Sequence, residues 1–164
     1  PLGKRGGASY LLNYRYSTLG VFQKMGINFG TGSATPLYED INYKIFVPLG
    51  TKGKLSVFGI AGKSKVDFLG NEADTTQANL YSERYQNTRV KYSTNITGIS
   101  YEHILGSKTT LKTALGYSST KEYFAGDSIS YITLQEFPSG QAQFYTEKYS
   151  ATLSLYHKFN ARNS

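Results

Sequence analysis

The chain has no cysteine and no tryptophan, one methionine and four prolines among its 164 residues. The missing cysteines exclude a disulfide framework, thiolate zinc sites, thiol nucleophiles and CxxC redox chemistry. No apolar run approaches the roughly 18 residues that a membrane-crossing helix needs. No stretch joins a basic region to a short apolar one, so no signal peptide is expected within these residues. A convincing amphipathic helix is also lacking. What is present is aromatic and small: 15 Tyr, 9 Phe and 17 Gly. That aromatic content excludes disorder, and the bias toward Tyr, Gly, Ser and Thr is the chemistry of strands and turns. Net charge is +7, with a mean hydropathy of −0.39.

The hydrophobic pattern has period two. Alternation runs through 10–17, 41–47, 55–66, 90–105, 109–123 and 149–159. The last run is the clearest, with Tyr149, Ala151, Leu153, Leu155, His157 and Phe159 opposing Ser150, Thr152, Ser154, Tyr156 and Lys158. The fourth run changes phase near Gly98, which predicts a bulge there. Six strands result, several of ten or more residues, against a usual length of about five or six. Tight turns at 49–54 and 106–108 alternate with long connections at 18–37, 67–89 and 124–144. In up-and-down order this places every short turn at one end and every long connection at the other, the asymmetry of outer-membrane barrels.

The expected fold is therefore all-β, an antiparallel up-and-down transmembrane β-barrel. About six strands, three hairpins, are too few to close such a barrel, which needs at least about eight. The chain 1–164 reads as a single-domain, incomplete segment of a larger barrel. Two alternatives stay open. One is a soluble β-barrel ligand-binding module, since alternation looks the same turned inside out. The other is a small stand-alone outer-membrane barrel of about eight strands, with the missing two hidden in the long connections, one of them in 20–30.

The first strands resemble those of TonB-dependent outer-membrane receptors, in the variety that carries a carboxypeptidase-regulatory-like N-terminal domain. The likeness rests on Pro1, Leu2, Gly3 and Lys4, followed by Ser9, Tyr10, Leu11, Arg15 and Ser17. It continues in Tyr38, Asp40, Ile41 and Lys44 of a return strand, and in the run from Leu55 to Gly59. The resemblance implies a barrel of roughly 22 strands closed by a plug, which imports a scarce nutrient with energy from the TonB complex. These residues hold no plug, no TonB box and no carboxypeptidase-like domain. The implied setting is the bacterial outer membrane. The implied partners are outer-membrane lipid, the remaining strands and plug, the TonB complex and a surface lipoprotein. The substrate is not indicated.

No catalytic constellation accompanies His103 or His157, so the expectation is a non-enzyme with no cofactor. Glu72 and Asp74 make an incomplete Ca²⁺ ligand set, Gly30 and Gly32 no nucleotide fingerprint, and the site is expected to hold no metal. Lys4, Arg5, Lys52, Lys54, Lys108, Lys158 and Arg162 gather near the proposed turns, which suits anionic headgroups better than nucleic acid. Ligand contacts are expected in the long connections, where function collects on a rigid scaffold. The candidates are Tyr81, Arg84 and Tyr85 in one, and Phe124, Tyr131 and Phe137 in the other. Their rings and guanidinium offer stacking and forked hydrogen bonds to sugars, peptides or chelates. Tyr149 and Phe159 bracket the last strand as membrane-interface aromatics.

Overall fold

A computed structural model describes residues 7–17, 19–26, 34, 36–70 and 84–159. Six strands form one antiparallel sheet in sequence order: β1 (Ser9–Tyr16), β2 (Leu37–Leu49), β3 (Gly53–Leu69), β4 (Gln86–Gly106), β5 (Thr109–Ile129) and β6 (Glu136–His157). The sheet is not closed, so β1 and β6 are its edges. A six-residue helix, α1 (Leu19–Lys24), lies between β1 and β2. Residues 20–24 are thus helical, where one alternative placed a hidden strand; the later part of that segment lies outside the described residues. No helix among the described residues is long and apolar enough to cross a membrane, which says nothing about strands.

The strands exceed the expected lengths at the long-connection end. β4 and β5 have 21 residues each and β6 has 22. The connection expected over 124–144 shrinks to residues 130–135, and that over 67–89 to 70–85. Consequently Phe124 lies within β5 and Phe137 within β6, not in a connection. Pro138, Ser139 and Gly140 read as a turn because Pro and Gly usually interrupt strands. Here they occupy an irregularity at an edge: Asp127 pairs with Pro138 while Gly126 pairs with Gly140, leaving Ser139 extra. Proline, without an N–H, is tolerated in such a place.

The expected bulge at Gly98 does not occur. The β3–β4 register is continuous from Gly53↔His103 to Leu69↔Asn87, and β4–β5 is regular until a shift between Ile104 and Gly106. Paired residues share a face and alternate residues change face, so the continuous register sorts the whole sheet. One face carries the row Leu12, Tyr43, Gly59, Thr97, Tyr117, Tyr149; the other carries Lys44, Phe58, Gly98, Gly116, Ser150.

Neither face is uniform along its length. Toward the short turns the Tyr43 face is apolar, with rows Tyr10, Ile45, Val57, Ile99, Leu115, Ala151 and Val47, Leu55, Tyr101, Thr113, Leu153. The opposite face there is mostly small or polar, as in Ser56, Ser100, Ala114, Thr152 and in Lys54, Glu102, Lys112, Ser154, interrupted by Phe46 and Phe58. Toward the long connections the polarity reverses. The Tyr43 face becomes Glu39, Lys63, Ser93, Lys121 and then Lys65, Lys91, Tyr123, Gln143. The Phe58 face becomes Tyr38, Tyr92, Phe144 and Val66, Val90, Phe124, Ala142, with Ser64 and Glu122 between the aromatics. The apparent phase change in β4 is this reversal: Tyr92 and Ile96 lie on one face, Ile99 and Tyr101 on the other, with no slip in register.

There is almost no interior. Among the described residues only Ala34, Val90 and Ile129 are buried apolar side chains. Side chains instead fill the holes that glycines leave in the sheet. A Cβ at Gly59 would meet the Tyr43 ring at 2.6 Å, and one at Gly98 would meet the Phe58 ring at 2.6 Å. Tyr43 thus lies flat across Gly59 and its hydroxyl hydrogen-bonds with Thr97 Oγ1 at 2.8 Å. Each glycine is covered by an aromatic of the neighbouring strand, a cross-strand packing that pins register.

Candidate functional site

The residues with most chemistry gather at the long-connection end. Tyr85 is set by the backbone: its carbonyl accepts the Ile129 N–H at 2.8 Å, tying the start of β4 to the end of β5. The Arg84 guanidinium lies 5.7 Å from the centre of the Tyr85 ring, within reach of a cation–π attraction. The Tyr85 ring meets Tyr131 edge-to-face at 6.5 Å. Tyr131 stands at the tip of the β5–β6 connection and is 76% exposed. That connection is braced from within. The Ser130 hydroxyl accepts the N–H groups of Ile132 at 3.3 Å and Thr133 at 3.2 Å, and the Ser130 carbonyl accepts that of Leu134 at 2.9 Å. Leu134 takes φ of 55°, the left-handed region that side chains other than glycine occupy at a cost.

Among the expected ligand contacts, Arg84, Tyr85 and Tyr131 are therefore brought together by two different connections. Phe124 is separate. It packs on the Phe58 face edge-to-face with Tyr92 at 5.9 Å and with Phe144 at 6.4 Å. Tyr81 lies outside the described residues, as do Glu72, Asp74, Gly30, Gly32, Lys4, Arg5 and Arg162.

Polar residues that the pattern did not single out sit just below this tip, on the Tyr43 face. Arg89 donates to the Asp127 carboxylate across β4–β5 and lies 3.9 Å from Glu136 Oε2. The Asp127 carboxylate holds the Arg89 guanidinium still more firmly protonated than usual. Lys65 pairs with Asp67 at 2.6 Å. Asn87 is fully buried; its Oδ1 accepts the Gly70 N–H at 2.8 Å, while its Nδ2 has no hydrogen-bond partner among the described residues. In sequence these residues fall in polar stretches flanking the apolar alternation, which carry no period-two signal.

At mid-sheet, the margin of the apolar half of the Tyr43 face is marked by tyrosines whose hydroxyls reach toward the charged half. Tyr14 donates to Glu39 at 2.9 Å, and Lys63 pairs with Glu39 at 2.6 Å. Tyr117 and Tyr145 both donate to Glu147, at 2.6 and 2.7 Å. Glu39 stands two rows beyond the apolar half. Its hydrogen bonds from Lys63, and secondarily from Tyr14, lower its pKa below the ordinary carboxylate value. On the opposite face Arg15 makes a forked contact with Asp40, both oxygens at 3.0 Å, with Asn42 donating to the same carboxylate at 3.0 Å.

Tyr149 and Phe159 are 74% and 73% exposed and bracket the apolar stretch of β6, with Phe159 two residues past the strand end. The Tyr149 ring lies 5.0 Å from that of Tyr117, and Phe159 lies 4.7 Å from the His157 ring. Both histidines sit at the short-turn end, each hydrogen-bonded through Nδ1: His103 with the Tyr101 hydroxyl at 2.9 Å, His157 with the Thr109 hydroxyl at 2.8 Å. Among the described residues no group of three His, Cys, Asp or Glu converges as a metal site would. Compared with known protein families, with curated proteins and with solved structures, the chain matches none.

Proposed function

We propose that this chain forms part of the wall of an outer-membrane β-barrel transporter, with the short turns on the periplasmic side and the long connections outside. The observation that carries the reading is the reversal of face polarity at mid-strand. The apolar stretch of β6 from Tyr149 to Phe159 is about 34 Å long at ~3.4 Å per residue, and a tilt of roughly 40° reduces it to about 26 Å, close to the ~25 Å apolar band of such barrels. The remaining half of β4, β5 and β6 extends beyond that band into water. There the outward face is charged, and the inward face carries Tyr92, Phe124 and Phe144 for packing against whatever fills the lumen.

A soluble barrel with the Tyr43 face inward fits poorly. It would place Lys63, Lys65 and Arg89 in its interior with their carboxylate partners, together with Lys91 and Lys121, which form no ion pair among the described residues, and burying charge, above all unpaired charge, is costly. The edges support a larger closed sheet. All eight residues of β1 and all but one of β6 are exposed, and unpaired strand edges are not tolerated in lipid. Further strands would satisfy both. Within that wall, Arg84, Tyr85 and Tyr131 form the outer capture surface. The resemblance of the early strands to TonB-dependent receptors supplies the rest of the reading: a plug in the lumen, energy from the TonB complex, and a surface lipoprotein as an outer partner.

These 164 residues hold no tryptophan, so once any tryptophan elsewhere in the protein is replaced by phenylalanine, a single one placed here is a clean depth probe. Leu153→Trp and Lys121→Trp are compared in vesicles whose acyl chains carry bromine. Strong quenching at residue 153 and little at 121 is expected. No quenching at either removes the membrane reading and leaves the soluble module; equal quenching at both would end the reading of the polarity reversal as the edge of the apolar band. Alanine at Arg84, Tyr85 and Tyr131 together is expected to lower affinity for the imported nutrient without altering the fold; unchanged affinity would take these residues out of the capture surface.

A further inference from the structure

A groove of about 590 Å³ crosses the Tyr43 face just beyond the apolar half, lined by Lys63, Lys65, Lys91, Lys121, Tyr16 and Tyr123 among others. It continues into a second groove of about 460 Å³ that shares Lys63 and Lys121 and descends past Tyr14, Ile41 and Ala61, with Asn95 and Ser119 beside them, to the edge of the apolar half. We infer that this continuous groove binds a phosphate-bearing lipid of the outer leaflet, headgroup against the lysines and chain along Ile41 and Ala61. The inference rests on the membrane orientation proposed above.

Three features point to an anionic headgroup. First, Lys65 and Lys91 are direct cross-strand partners. Like charges placed opposite one another repel, and an anion between them turns that repulsion into two attractions. Second, the lysines are only partly compensated. Lys63 pairs with Glu39, which also lines the groove, and Lys65 with Asp67. Lys91 rests over the Tyr123 ring at 5.4 Å, and Lys121 has no carboxylate partner among the described residues. Third, the polarity is graded in one direction. Lysines at one end, tyrosine hydroxyls at the margin, and Ile41 and Ala61 leading to the aliphatic rows of Ile45, Val57 and Ile99 beyond the groove follow the profile of a lipid with its headgroup outward.

A free phosphate has the same headgroup chemistry but no use for the aliphatic rows toward which the groove leads. The full-length protein is placed in phosphatidylcholine nanodiscs doped with phosphatidic acid, and the lipid retained on it is measured by native mass spectrometry. Enrichment of phosphatidic acid on the order of tenfold is expected, since each basic residue near an anionic surface contributes a several-fold preference. The triple variant Lys65→Gln, Lys91→Gln, Lys121→Gln should lose it. Glu39→Gln, which frees Lys63, should raise it. Equal enrichment in wild type and triple variant overturns the proposal. So does displacement of the lipid by millimolar inorganic phosphate, which would make this a free-phosphate site. The bromine quenching at Leu153→Trp separates the two levels: quenching without phosphatidic acid enrichment sinks the lipid site alone, whereas loss of quenching sinks the orientation on which it depends.

Discussion

The two halves of this sheet use the same strands and the same register, yet they solve different problems. Near the short turns, Ile45, Val57, Ile99, Leu115 and Leu153 line one face in rows, while Ser56, Ser100, Thr152 and Ser154 line the other. Near the long connections the apolar side chains are fewer and mostly aromatic, and they stand on the opposite face. Nothing in the backbone distinguishes the halves, because the hydrogen-bonded ladder continues through the change. On the reading proposed above, what changes is the solvent that each face meets. A strand in one uniform environment would keep its apolar side chains on one face throughout; the reversal at constant register is what the proposed passage from lipid to water would require.

The largest effect separates the halves directly. Leu115→Arg places a guanidinium in the middle of the apolar rows, and is expected to cost about 2–4 kcal/mol of folding stability in lipid vesicles, the range for Arg at the midplane of a barrel wall. Asn95→Arg and Ser119→Arg, one row into the other half of the same face, should each cost under about 1 kcal/mol. Urea titrations of the three variants in vesicles give the comparison. Equal costs would mean that the Tyr43 face meets a single solvent.

Next in size come the glycines. Gly59→Val drives a side chain into the Tyr43 ring and to within 2.8 Å of the Ile96 carbonyl. A cost of about 1–3 kcal/mol is expected for such overpacking. Adding Tyr43→Ala should restore part of that loss, because the ring is what the added side chain displaces, whereas the Ile96 carbonyl cannot move. A double-mutant cycle with no coupling would show that Tyr43 does not cover Gly59 in solution. In the long-connection half, Phe124→Ser should cost about 1–2 kcal/mol through lost contacts with Tyr92 and Phe144, an aromatic pair contributing about 0.5–1.5 kcal/mol beyond its area. Tyr123→Ser, its neighbour on the charged face, should cost less. The order reverses if the aromatic cluster is not what packs that half.

The alternation at 149–159 is enough to identify β6, the face of Leu153 and the bracketing by Tyr149 and Phe159, because a half-buried strand writes its environment directly into period two. The up-and-down order and the placement of all short turns at one end are equally legible. The outer halves are not. In 136–148 the apolar residues are sparse, and Pro138, Ser139 and Gly140 read as a turn, although a ladder needs no apolar side chain to continue once its register is fixed. The same blindness puts Phe124 in a connection and turns the reversal at Gly98 into a bulge. Arg84, Tyr85 and Tyr131 stand out by residue type, but their meeting depends on the Ile129–Tyr85 backbone bond between two hairpins. Lys65 opposite Lys91 is likewise a product of register, which no local pattern contains.

The smallest effect tests whether the outer half is as strictly built as the inner one. Leu134, near the end of the β5–β6 connection, lies in the left-handed region and is 70% exposed, so little packing offsets its backbone strain. For an L-residue that conformation costs roughly 1–2 kcal/mol relative to the right-handed one, whereas glycine adopts it freely. Glycine also gains freedom in the unfolded chain, which offsets part of the relief. Leu134→Gly is therefore expected to stabilise by under about 1 kcal/mol, and Leu134→Val to destabilise, since branching at Cβ worsens the clash. Amide exchange at position 134, where the Leu134 N–H is held by the Ser130 carbonyl at 2.9 Å, would slow in the glycine variant and quicken in the valine variant. If both changed the exchange alike, the tip would owe its shape to Tyr131 and Tyr85 packing together rather than to its own backbone, and the proposed capture surface would be held from the side rather than from beneath.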